Sequence, residues 1–193
     1  MPLPQTMSSE SFRRHRLTTD DYYKMGEAGI FRENDRIELI EGDIIDKAPI
    51  GSRHAYTVDK LAYIIQGQIS DKILLRIQNP LRLNQHNEPE PDLALVTNKN
   101  YSSHHPDSKE TLLIIEVADT SLVYDLEIKT ALYAQHNVPE TWVINLNDKK
   151  IHTFRQPHNG TYQQQNACDI GTITPTQVSD LVFDIDKLWS ILS

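Results

Sequence analysis

The stretch TLLIIEV, residues 111–117, constrains the fold of this chain more than any other. A short run of apolar and β-branched residues fits a central strand covered on both faces, as in sheets flanked by helices. Its single charge, Glu116, comes near the end. A carboxylate buried without a partner costs several kcal/mol or takes up a proton, so something must compensate Glu116: a basic side chain, a raised pKa or a metal ion. A structural salt bridge meets the same need.

A second run, HNEPEPDLALV at residues 86–96, leads into an apolar strand through alternating acids and prolines. In an extended chain Glu88, Glu90 and Asp92 share one face, about 7 Å apart. Pro89 and Pro91 remove ladder donors and stiffen the segment, which places it at a sheet edge or entrance. One reading makes the acids a charged guard of that edge. The other aims Asp92 into a site. DLALV and TLLIIEV are consecutive strands and therefore neighbours, so an antiparallel pairing brings Asp92 and Glu116 to the same edge of the sheet. Two carboxylates within reach of each other repel unless a cation lies between them. Few oxygen ligands with open positions suit Mg²⁺ or Mn²⁺.

The remaining pattern supplies the elements around these strands. Thr18 or Thr19 caps a helix running towards Ala28, and RIELIEGDII reads as a hairpin turning at Glu41-Gly42. Ser52 caps a helix to about Ile69, with Val58, Leu61, Ala62, Ile65 and Ile69 as its buried stripe. KILLRI and PLRL read as strands. A helix from Leu122 to His136, ended by Asn137, sets Asp125, Lys129 and Tyr133 four residues apart on one face. Because it leaves the Glu116 strand almost directly, Lys129 can lean back towards the two acids. ETWVINL and KKIHTFRQP form a hairpin across Asn147-Asp148, and VFDIDKLWSIL is a final apolar turn. The expected fold is α/β or α+β, a central mixed β-sheet flanked by helices.

At 193 residues, 38% hydrophobic and 24% charged, the chain fits one domain, 17–193, behind a flexible N-terminal arm, 1–16. No apolar run reaches the ~20 residues of a membrane helix, and the first residues lack an export signal, so a cytoplasmic location is expected. The single cysteine, Cys168, excludes an internal disulfide and a CxxC zinc site. A net charge of −8 argues against a dedicated nucleic-acid binder, although carboxylates that hold cations make a site less negative than the sum suggests. The densest basic cluster, Arg13, Arg14 and Arg16 with His15, reads as a solvated arm. No HExxH occurs among the histidines; His104 and His105 fall in a polar loop, and His54 stands at a helix start near the acids. Glu38 alternates with Ile37 and Leu39 and, by spacing, belongs to the solvated side of its hairpin. Tyr124, Tyr133 and Trp142 have the spacing of core aromatics.

Pro91-Asp92 followed by Glu116 at the end of the next strand resembles the PD-(D/E)XK nuclease superfamily. The superfamily's lysine would fall at Ala118; some branches supply it from the following helix, where Lys129 stands. The wider pattern of RIELIEGDII, Arg53-His54-Ala55, EPEPDLALV, IIEVADTSLVYDLEIKTALYA and VPETWVINL resembles the Uma-type family of bacterial restriction-endonuclease-like proteins, from Thr18 to the C-terminus. The resemblance implies a restriction-endonuclease-like core and metal-dependent hydrolysis of DNA phosphodiester bonds. Asp92 and Glu116 would hold Mg²⁺ (or Mn²⁺) together with the backbone carbonyl of Val117, and Glu38 would be a further acid. Lys129 would polarise or help deprotonate the attacking water, with His54 and Glu90 standing around the site. Superfamily members often pair, and a homodimer would suit two cuts on a duplex. The departure at Ala118 and the acidic balance also fit a non-catalytic binding or assembly module that keeps the nuclease fold.

Overall fold

The computed structural model describes residues 14–192. Residues 1–13 of the N-terminal arm, Arg13 of its basic cluster among them, therefore lie outside the described residues. Arg14 and Arg16 lie within them and pair with Asp43 and Glu41 across 2.8 and 2.9 Å.

Helix α1, Thr19–Glu27, begins at Thr18, whose hydroxyl accepts from the Asp21 amide while the Asp21 carboxylate accepts from the Thr18 amide. This reciprocal cap satisfies two of the donors a helix start leaves open. β1 (Ile37–Ile40) and β2 (Asp43–Asp46) then pair antiparallel. Their turn holds Glu41 at φ 53° and Gly42 at φ 77°, the geometry that two-residue hairpins require. α2, Ser52–Gln66, starts from Gly51 without a side-chain cap, so Ser52 is its first residue and not its cap.

The central sheet has six strands in the order β3 (Ile73–Ile77), β4 (Leu93–Thr97), β5 (Thr111–Ala118), β6 (Glu140–Asn145), β7 (Lys150–His158) and β8 (Thr161–Cys168). β4 and β5 are antiparallel, and β5 and β6 are parallel, so the sheet is mixed. A short pair, β9 (Thr172–Ile173) and β10 (Phe183–Asp184), leads into α4, Ile185–Ile191. Leu113, Ile115 and Val117 of β5 pack with Trp142 and Ile144 against α2 and α4, whereas Ile114 and Ala118 face Tyr133 and Ala134 on the other side. Each fully buried large apolar side chain of these layers contributes about 1.5–3 kcal/mol. Among the described residues no helix is long and apolar enough to cross a membrane.

Three sequence expectations are corrected. PLRL is not a strand: after Pro80 the segment bonds irregularly, Leu81 to the carbonyl of Pro89 and Arg82 to that of Pro106. Of the two places open to the acid–proline stretch, the entrance to a strand holds and the sheet edge does not, because β4 lies inside the sheet and Glu88 pairs with Leu39 of β1. Glu88 is buried between Arg82 and Tyr23, so it guards nothing. The helix after Glu116 opens with a π-helical turn, Tyr124–Lys129, before α3, Thr130–Gln135.

Candidate active site

The antiparallel register sets Asp92, at the entrance of β4, beside Glu116, near the end of β5. The Asp92 amide donates to Oε2 of Glu116 at 3.3 Å, and the Val117 amide donates to Oδ2 of Asp92 at 2.9 Å. The stiff Pro91 linkage carries Asp92 into this position, and its remaining oxygen accepts from Gln78 at 3.2 Å. His54, in the first turn of α2, reaches Oδ2 of Asp92 at 3.0 Å.

From the other side the π-helical turn delivers Lys129. Its ammonium lies 3.1 Å from Oε1 of Glu116 and 3.2 Å from Oε2 of Glu38. A π turn is wider than an α turn and often marks a functional site. Here it lets Asp125 and Lys129 face one cavity, while Tyr133 on α3 donates to Oε1 of Glu116 at 2.6 Å. Ala118, the superfamily's lysine position, is fully buried beneath α3 in contact with that helix's layer. A long charged side chain has no room there, and the helix supplies the ammonium instead.

Glu38 is likewise not solvated. All four residues of β1 are buried, and Glu38 accepts from Lys129, from the Tyr124 hydroxyl at 3.2 Å and from the Glu90 amide at 3.1 Å. Glu90 itself is half-buried and pairs with Lys47. Asp125, which spacing set on the face of Lys129 but to which no role was given, is buried and accepts from Ser121 at 2.5 Å. Tyr133 and Tyr124, which spacing assigned to core packing, both bond site carboxylates. A tyrosine one turn beyond a candidate lysine was the available signal. Nothing in the sequence marked Gln78. Trp142 is core, donating to Glu140 at 2.5 Å, and His104 is exposed.

Glu38, Asp92, Glu116, Asp125 and Lys129 line one cavity of about 360 Å³ with Arg36, Lys47 and His54. Four carboxylates thus face one buried ammonium. Burial alone would lower the pKa of Lys129, but Glu116 and its neighbours outweigh it and hold the ammonium charged. Complete burial pushes Glu116 up, Lys129 notwithstanding. Burial and then the charge of Glu116 push Asp125 up to about 7. Burial also opposes ionisation of Asp92, yet its bond to His54, the His54 charge and the Val117 amide keep it below the ordinary carboxylate range. Glu38 is held low by Lys129 and Lys47 against the same opposition, and the bond to Asp92 raises His54. Among the described residues no three of His, Cys, Asp and Glu are gathered at metal-ligand spacing.

A mixed six-stranded sheet flanked by helices, with an acid pair at adjoining strand ends and a lysine from the next helix, defines a restriction-endonuclease-like protein. The chain belongs to the Uma2 family, whose model, described as "Putative restriction endonuclease", matches residues 19–182. Among solved structures it is similar to one titled as a "putative nuclease belonging to DUF820" from Anabaena variabilis ATCC 29413, with 16% identity and a TM-score of 0.70. That similarity covers 92% of this chain and 99% of the other. No curated protein matches the chain.

Proposed function

We propose that the protein is a metal-dependent nuclease that hydrolyses DNA phosphodiester bonds, with Asp92, Glu116 and Lys129 at its centre. The observation that carries this reading is the convergence of those three residues on one cavity, Glu116 accepting from both the Asp92 amide and the Lys129 ammonium.

The charge of the cavity fits a divalent cation. Two of the four carboxylates are pushed towards their protonated forms, first by burial and then by the charge of neighbouring acids, and a cation among them would offset both. Asp92 and Glu116 are the acids that would hold the ion, with Glu38 and the carbonyl of Val117 as further oxygens. Mg²⁺ is commonly bound through one or two carboxylates and several waters, so two close acids suffice without a three-residue cluster. When bound, such an ion lowers the pKa of a coordinated water and stabilises charge on the scissile phosphate. His54, Gln78 and the Val117 amide fix the orientation of Asp92; Tyr133 and Lys129 fix that of Glu116. Lys129, held as an ammonium, donates and does not accept a proton, so its part is to polarise the water and stabilise charge on phosphate oxygens. Asp125, with its carboxyl pushed up to about 7, has the proton affinity that suits a base near neutral pH.

The test is cleavage of single-stranded and plasmid DNA with Mg²⁺ or Mn²⁺ by the native chain and by Glu116→Gln. Loss of the oriented acid should slow cleavage at least ~100-fold, with circular dichroism showing the variant folded. Equal rates for both proteins sink the reading. No cleavage by either, with no Mn²⁺ binding by calorimetry, leaves a non-catalytic module, which the absence of lysine at Ala118 favours.

A further inference from the structure

The acids of the site do not reach the surface. Glu38, Asp92, Glu116, Asp125 and Lys129 are 1%, 7%, 2%, 5% and 3% exposed, on the floor of a cavity of about 360 Å³. A reacting phosphodiester must therefore come down to them. A duplex presents its phosphates along a stiff rod, with a persistence length of about 50 nm, and cannot bend one group out of register into an enclosed space at small cost. An unpaired strand can. Enzymes that act on a deeply held nucleotide take it from single strands or extrude it from the stack.

The mouth has the matching chemistry. β2 and the segment after it bring Ile45, Pro49 and Ile50 to the cavity wall, Pro49 and Ile50 being exposed. Their apolar surface suits the faces of unstacked bases, which in a duplex are hidden. Arg36 and Lys47 line the same wall as cations for flanking phosphates, Arg36 donating to the carbonyl of Ala48 at 2.6 Å and Lys47 to that of Glu90 at 2.8 Å. Bases and phosphates of one flexible strand can thus be met together, the combination on which single-strand binding depends.

We infer that the substrate of this site is an unpaired DNA strand, threaded one nucleotide deep beneath the β1–β2 hairpin, and not the backbone of an intact duplex. The inference rests on the nuclease reading above. It is tested with the full chain and Mn²⁺ on one labelled sequence offered as a single strand, as a blunt duplex, and as a duplex with a single-stranded flap. The single strand is expected to be cut at least ten times faster than the blunt duplex, and cuts in the flapped substrate should map to the flap. Ile50→Ala should raise KM for the single strand several-fold. Equal rates on single strand and duplex, or cuts within the paired region, overturn the inference and leave the nuclease reading intact. Turnover of bis(4-nitrophenyl) phosphate without cleavage of any DNA overturns the inference and retains phosphodiester hydrolysis alone. No turnover of any substrate overturns both.

Discussion

Asp125 is a residue whose charge the fold tolerates poorly. An ordinary aspartate has a pKa near 3.8, and burial beside Glu116 pushes this one up to about 7. The folded chain therefore holds a proton that the unfolded chain releases, and stability falls as pH rises between those values. A tenfold change in proton affinity corresponds to about 1.4 kcal/mol, so the penalty above pH 7 is on the order of a few kcal/mol. Asp125→Asn keeps the shape and can still accept from Ser121 but carries no charge. Relative to the native chain its melting temperature should gain steadily from about pH 4 to pH 7, with no further gain above that; a pH-independent difference would show that Asp125 does not titrate in this range. At this scale the sequence disclosed Asp92, Glu116 and Lys129, because an acid in an apolar run demands compensation wherever it is placed. Spacing alone hid Glu38, since alternation marks it as solvent-facing and only the covering by Tyr124 and Lys129 reverses that; the family resemblance was what named it. Gln78 was hidden for a different reason: it bonds Asp92 from a left-handed backbone position, φ 49°, after β3, and no pattern in one sequence announces such a turn.

The elements that set the site are the β4–β5 pair, the π-helical turn and the β1–β2 hairpin. The strand pair was legible because two apolar runs consecutive in the chain, joined by a polar loop, are usually neighbours in the sheet. The π turn was not, as its apolar spacing over Leu122, Leu126 and Tyr133 fits an α-helix nearly as well, and one added residue per turn leaves no mark in composition. PLRL has the look of a strand without being one, because an apolar pattern over four residues says nothing about which backbone groups will find partners. The hairpin depends on its turn. A Cβ on Gly42 would stand 2.6 Å from Cβ of Arg16 and 2.9 Å from its Cα, at a φ of 77° that side chains rarely adopt. Gly42→Ala should therefore cost more than the ~1 kcal/mol of a simple propensity change, because the 14–17 segment must lift off as the backbone strains. Hydrogen exchange should show the amide of Leu17, which donates to the Gly42 carbonyl at 2.9 Å, losing protection in the variant. Unchanged protection with an unchanged melting temperature would mean that the turn accommodates the methyl group.

Over the whole molecule the charge is −8, and a chain of that sign approaches DNA against its own field. Two features reconcile this with the proposed substrate. A divalent cation among the acids, as proposed, would remove part of the repulsion where it is strongest, and Arg36 and Lys47 line the cavity while Arg53 pairs with Asp119 at its wall. Binding through so few cations releases few counterions. For single strands the logarithm of affinity falls with the logarithm of salt by about 0.7 per phosphate neutralised, so three contacts give a slope of about −2. Lys47 and Arg53 already hold Glu90 and Asp119 and must exchange those partners for phosphate, which makes three an upper bound. The expectation is that log(kcat/KM) on a single strand, measured from low to high NaCl at constant free Mg²⁺, declines with a slope no steeper than about −2. A slope near −4 would require about three further contacts, and Arg13, Arg14 and Arg16 are the cluster dense enough in basic residues to provide them. Substituting those three by alanine would then bring the slope back to the shallow value.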